Sequence, residues 1–191
     1  MKRTILIAVI AALVAPIWAQ DTGITPDGFD WWLTPDKKGV IIQGYVGKAT
    51  DVRIPDKINN LPVVQIDDMS FAPSISGQTN GLTRVIIPNT VTKIGEQVFK
   101  GQRSLTSVTL PTGLIEIKGE TFYDCRALTS ISLPASIKTI GIRAFYNCTA
   151  LTTVTIPASV TTITFGANVF QNATSLNAVT VQALTNRGYK F

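Results

Sequence analysis

Histidine is missing from this chain of 191 residues, and its absence closes off a large block of chemistry. Without it there is no Ser-His-Asp or Cys-His relay and no histidine-ligated metal. Cysteine is scarce as well. Cys125 and Cys148 are the only two, too few for a structural zinc site. Acidic residues number 12 against 17 Lys and Arg, a mild basic surplus with no cluster behind it, which does not point to nucleic acid or to a lipid surface. The carboxylates suggest no acid/base pair: Glu120 with Arg143, and Lys93 with Glu116, are one repeat apart and are expected as exposed ion pairs. The stretch "GYVGKAT" fails as a phosphate loop, because Ile42 stands where the leading glycine belongs and Ala49 replaces the Ser or Thr. It reads as a turn. The chain is therefore expected not to be an enzyme and to need no cofactor or metal.

Long apolar runs are limited to one, Ile5 to Val14, preceded by Lys2 and Arg3 and followed by Ala19. That pattern reads as a secretory signal over residues 1–19, too short to span a bilayer. No cysteine lies near the cleavage point, so no lipid anchor is expected there. The mature chain is expected to start at Gln20 and to be secreted, periplasmic or at the cell surface.

What the chain has in abundance is restatement. Leu82, Leu105, Leu128 and Leu151 are spaced by 23, as are Pro88, Pro111, Pro134 and Pro157, and Ile94, Ile117, Ile140 and Ile163. Phe99, Phe122 and Phe145 follow the first three isoleucines, while Phe170 and Leu176 arrive two residues late after "TITFGANVF". A fixed period in the twenties marks a solenoid of stacked units. Each unit opens with an alternating segment, such as Ser107, Val108, Thr109, Leu110, which is strand periodicity. Proline then ends the strand. The rest of the unit suits turns or single-turn helical pieces. A lone unit buries too little to fold, so the units must share faces.

The string "LTSISLPASIKTIGIRAFYNCTALTTVTIPASV" resembles the BspA-like leucine-rich repeats of bacterial surface and secreted proteins. The likeness is close over residues 82–181, and the run Ile140, Gly141, Phe145, Cys148 carries it most specifically. Residues 52–81 follow more loosely, with Ile54, Pro55, Ile66 and Phe71 in repeat order and "APSISGQTNG" inserted. Lys118 stands where the next unit has Gly141, and Gln102 and Ala173 hold the cysteine position. The resemblance implies an α/β solenoid: a right-handed leucine-rich-repeat coil of 23-residue repeats with a parallel β-sheet on its concave face. It also implies adhesion to host or neighbouring-cell proteins.

The chain then divides into a signal (1–19), an N-terminal cap (20–51) and a repeat domain (52–191) of about five units, the last incomplete. Residues 29–45 read as a β-hairpin cap around "PDKKG", with Trp31 and Trp32 as cap packing. At the other end "VTVQALTNRGYKF" reads as a fifth strand with Gln182 at the proline position. Beyond it, either Tyr189 and Phe191 fold over the last coil, or that end is left for a partner or a longer array.

Cys125 and Cys148, one period apart, are close enough for a disulfide, yet the favoured reading is two free thiols filling the core. Asn147 and Asn172 head glycosylation sequons that matter only in a eukaryotic host. What remains is surface. Outward positions of the strands make two rows, Arg84, Ser107, Ser130, Thr153, Ala178 and Ile86, Thr109, Ser132, Thr155, Thr180. From these, Arg84, Ser107, Thr109, Ser130, Ser132, Thr153 and Thr155 are the candidate binding residues for a protein partner. Lys100, Tyr123 and Tyr146 share one position on the back as packing between coils. The alternatives are a structural element that self-associates end to end, and a carbohydrate-binding module.

Overall fold

The computed structural model describes residues 21–73 and 81–191. The expected signal over residues 1–19, and most of the inserted "APSISGQTNG", lie outside them. Strands β1 (Thr22–Ile24), β2 (Phe29–Leu33) and β3 (Val40–Tyr45) run antiparallel in turn, β2 and β3 forming the hairpin around Pro35 to Gly39. They are followed by β4 (Asp51–Arg53), β5 (Lys57–Ile58), β6 (Leu61–Ile66), β7 (Arg84–Ile86), β8 (Lys93–Ile94), β9 (Ser107–Thr109) and β10 (Glu116–Ile117). The chain continues with β11 (Ser130–Ser132), β12 (Thr139–Ile140), β13 (Thr153–Thr155), β14 (Thr164–Phe165) and one helix, α1 (Ala178–Thr185).

Each coil contributes a three-residue strand to a front ladder, where the sequence places it. The pairings are parallel and in repeat register: Arg84 opposite Ser107, Val85 opposite Val108, Ser130 opposite Thr153, Ser132 opposite Thr155. Val85, Val108, Ile131 and Val154 point inward and are buried. Just before β7, β9 and β13 a threonine hydroxyl donates to the carbonyl of the preceding coil's threonine: Thr83 to Thr50, Thr106 to Thr83 and Thr152 to Thr129, at 2.8–3.2 Å. The front ladder splits between β9 and β11, where the backbone bond that remains is a long one, Thr129 N to Thr106 O at 3.5 Å.

The back of the coil is more ordered than the sequence suggests. A second parallel ladder joins β3, β6 and β8, and another joins β10, β12 and β14. From these strands Ile66, Ile94, Ile117 and Ile140 enter the core. Phe165, not Ile163, stands opposite Ile140. The two extra residues are absorbed before β14, so the phenylalanine takes the isoleucine's place while Ile163 remains buried beside it. Helical structure among the described residues is confined to the eight residues of α1.

Beyond the second ladder the chain turns through two left-handed positions per coil. The first column is Met69, Gln97, Glu120, Arg143 and Asn168; the second is Gly101, Asp124, Asn147 and Asn172, all with φ between 53° and 77°. Such φ values aim the amides along the solenoid axis. Gln97, Phe99 and Gly101 donate to Gly119, Thr121 and Tyr123 of the next coil, and Glu120, Phe122 and Asp124 repeat the pattern one coil on. Residues of the second column are glycine, aspartate and asparagine, the types that most readily adopt this conformation.

The core is a column of rings. Phe71, Phe99, Phe122, Phe145 and Phe170 stack with centroids 5.2–5.5 Å apart, continued by Tyr45 at one end and by Tyr189, edge-on to Phe170, at the other. Of the cap tryptophans, Trp31 is buried, but Trp32 is half exposed on the opposite face of β2.

The expected fifth strand is not formed. Residues Ala178–Thr185 are helical, and Ala178 and Thr180 leave the two outward rows. Asn177 caps this helix with its side-chain oxygen on Thr180 N, a local bond that a strand cannot offer. The Thr180 hydroxyl then occupies the ladder position beside β13, accepting from Val154 N and donating to Thr152 O. Arg187 reaches back to the carbonyls of Val160 and Pro157, and the Tyr189 hydroxyl accepts from Phe170 N. Of the readings open at the sequence level, the tail folded over the last coil is the one observed.

Candidate recognition surface

The front ladder presents the candidate residues in two rows. Arg84 on β7, Ser107 on β9 and Ser130 on β11 are exposed, and Thr153 on β13 is half-buried. In the second row Thr109, Ser132 and Thr155 are exposed. Pairing with β4 extends the rows toward the N-terminus by Asp51 and Arg53, which the sequence reading left out because the insertion after Phe71 breaks the 23-residue count. The face is thus charged over β4 and β7 and uncharged over β9, β11 and β13. Asn177 borders its far end, its amide 3.2 Å from the Thr153 hydroxyl.

On the back, Tyr123 and Tyr146 stack with centroids 4.9 Å apart and planes 3° from parallel. The Lys100 ammonium sits 5.0 Å from the Tyr123 centroid and pairs with Glu120 at 2.7 Å. Glu120 also meets Arg143, at 3.7 Å. The Lys100 bond lowers the Glu120 carboxyl against the opposing effect of burial. The other expected pair, Lys93 with Glu116, is not made: β8 pairs with β6 and β10 with β12, so these strands are not neighbours in a ladder.

A group the sequence reading did not single out lies beside this stripe. The Asp124 carboxylate is nearly inaccessible and accepts from Arg103 Nε at 2.8 Å, from Arg126 Nε at 2.7 Å and from the Asn147 amide. Burial alone would raise this carboxyl; the donors from Arg126, Arg103 and Asn147 outweigh it and hold it below the usual aspartate value. The left-handed turn brings these residues together, and Asp and Asn one period apart were the available signal. Asn147, head of a sequon, spends its amide on this bond.

Cys125 and Cys148 are free and buried, as expected. Each thiol lies 3.1 Å from the carbonyl of the phenylalanine one coil back, Cys125 on Phe99 and Cys148 on Phe122. Burial pushes Cys148 up to about 12 and Cys125 well above the usual thiol value, so both stay protonated donors. Gln102, in the same column, donates to Phe71 O at 2.6 Å and accepts from Leu82 N. Gln102, Cys125 and Cys148 thus each place a buried donor on the carbonyl of the preceding coil's phenylalanine, while Ala173, the last member of the column, places none.

The sequence profile of the BspA type leucine rich repeat region matches residues 65–189 in six copies. Among solved structures, the Treponema pallidum leucine-rich repeat protein is 28% identical, with 88% of this chain and 97% of that chain covered and a TM-score of 0.56. A leucine-rich repeat protein of Bacteroides capillosus is 24% identical, covering 73% of this chain and 100% of that one at a TM-score of 0.60. One from Bacteroides ovatus is 24% identical at a TM-score of 0.64, with 80% of this chain lying on 45% of that one. No curated protein matches the chain. The repeat profile spans well over half of the residues, and the ladders, the ring column and the repeat register agree with it: the chain belongs to the BspA-type leucine-rich repeat family.

Proposed function

We propose that this protein is exported and acts by recognition, holding another protein at or outside the cell surface on the face formed by β9, β11 and β13. The observation that carries this reading is the uncharged hydroxyl array of the exposed Ser107, Thr109, Ser130, Ser132 and Thr155 and the half-buried Thr153, at repeat-equivalent positions of β9, β11 and β13. Strand hydroxyls fixed at a spacing of about 4.8 Å offer donors and acceptors without the desolvation cost of charges. Leucine-rich-repeat proteins generally bind proteins, and the extended surface of a solenoid suits large partners. The charged start and apolar run at residues 2–14 support export; intact mass of the exported protein should lack residues 1–19, and a mass retaining them would remove that part of the reading.

The test is paired capture from surface extracts. Ser130→Glu with Thr153→Glu places two unpaired charges where a partner would bury them; the change at exposed Ser130 moves stability by about 0.5 kcal/mol or less, and because half-buried Thr153 also loses its contact with Asn177, the variant's denaturant midpoint is measured alongside. The protein bound by the wild type should be lost to this variant and kept by Tyr123→Ser with Tyr146→Ser. The reverse result would move recognition to the back.

A further inference from the structure

The two ends of this solenoid differ in charge, which the repeat does not require. Residues 21–68, building β1 to β6, carry eight acidic and five basic side chains; residues 125–191 carry five basic and no acidic ones. The sheet order puts β1 at the outer edge of the first end, while α1 and the tail cover the other. Of the eight large apolar side chains exposed among the described residues, five lie at these ends: Ile24, Trp32 and Val46 at the acidic one, Val179 and Phe191 at the basic one.

At the basic end Thr180 fills the front-ladder position beside Val154, and Tyr189 fills the middle position of the turn ladder, on Phe170 N. The flanking positions of the turn ladder are open. Arg143 N and Asn147 N donate to the following coil, but their counterparts Asn168 N and Asn172 N find no acceptor among the described residues. Asn168 borders a groove of about 420 Å³ whose walls include Phe165, Phe170, Tyr189, Lys190 and Phe191. Free amides, an ammonium and apolar rings make a site for a carboxylate flanked by apolar side chains. The opposite end offers that combination: Asp27 is exposed in the β1–β2 turn, and Asp30 lies opposite the exposed Ile24.

We propose that the occupant of this end is the acidic end of a second copy, the chains associating head to tail. One molecule carries both complementary surfaces, so the contact is heterologous, and since the ends lie at opposite poles it extends as an open row. Exposed charges steer and register such a contact, and salt screens them. The proposal is independent of the strand face, because the docking residues Ile24, Asp27, Asn168, Lys190 and Phe191 are not among the candidate residues from Ser107 to Thr155.

Sedimentation velocity on the purified protein tests it. Average mass should rise with concentration at about 0.01 M ionic strength and fall to that of one chain near 1 M, as the screening length drops from roughly 30 Å to roughly 3 Å. Lys190→Glu and Asp27→Lys should each weaken association about tenfold, the effect of roughly 1.4 kcal/mol. Lys93→Glu, with the same net charge as the first but placed mid-body on β8, should leave association unchanged. A single chain at every concentration in low salt, association indifferent to salt, or equal weakening by Lys93→Glu would overturn the proposal.

Discussion

Phe122 and Phe145 sit in the middle of the ring column with no exposed surface, each touching a ring above and below. Truncating either leaves a cavity that the neighbouring coils cannot collapse into, because their ladders hold the spacing. Phe122→Ala and Phe145→Ala should each cost about 3–5 kcal/mol, read from denaturant midpoints; unchanged midpoints would refute the inward register. Asp124 is the second residue on which several coils converge. Its carboxyl is held below its unfolded value, so its contribution is complete above about pH 3.9 and is lost as pH falls through the depressed folded value. Asp124→Asn should lower stability at pH 7 by about 1–3 kcal/mol, and the difference from wild type should shrink toward pH 2. A difference that stays constant down to pH 2 would mean the carboxylate's charge is irrelevant. Chemical denaturation at several pH values measures both.

At the scale of elements, one column explains a break. Gly95, Gly141 and Gly166 follow the second-ladder isoleucines or Phe165, and their amides donate to Ile66, Ile117 and Ile140 of the preceding coil. A Cβ on Gly141 would lie 2.6 Å from Gly119 N, closer than real Cβ atoms approach backbone. The chain places Lys118 in this column, and there the bond to Ile94 is missing and β8 and β10 do not pair. The lysine Cβ holds the two coils apart. Lys118→Gly should therefore let the ladder close, raising hydrogen-exchange protection at the amides of Ile115 and residue 118. Gly141→Lys should open the β10–β12 pairing and destabilise the protein by about 1–3 kcal/mol. Equal exchange at 115 and 118 in the Gly variant and the wild type would separate the break from the side chain.

In the whole molecule, coils touch only their neighbours, so stability is a sum of local terms and an end can open without the rest. Tyr189 closes the last coil with its ring on Phe170 and its hydroxyl on Phe170 N. Tyr189→Ala should lower exchange protection across β13, β14 and the turn at Phe170, while the amides near Phe71 and Phe99 keep theirs. Uniform loss along the chain would show that the solenoid unfolds as one unit. Its axis also has a sense: the inter-coil bonds of the left-handed turns, from Gln97, Phe99 and Gly101 and their equivalents, run from the cap toward α1, and the acidic-to-basic gradient runs the same way.

The period, the inward register from Leu82 to Leu151, the ring column and the two buried thiols were legible in the residues alone. Burial acts on each side chain separately, so a repeated local pattern repeats its outcome. The hydroxyl rows were legible over β7 to β13 for the same reason. What only the tertiary structure decided depends on one coil's distance from the next. That spacing places the second ladder and its gap at Lys118, gathers Arg103, Arg126 and Asn147 on Asp124, and shifts Phe165 into the isoleucine column. The helix at Ala178–Thr185 belongs here too. Its sequence alternates like the strands before it, but the cap bond from Asn177 and the Thr180 hydroxyl beside Val154 satisfy the last ladder with a helix in place of a fifth strand.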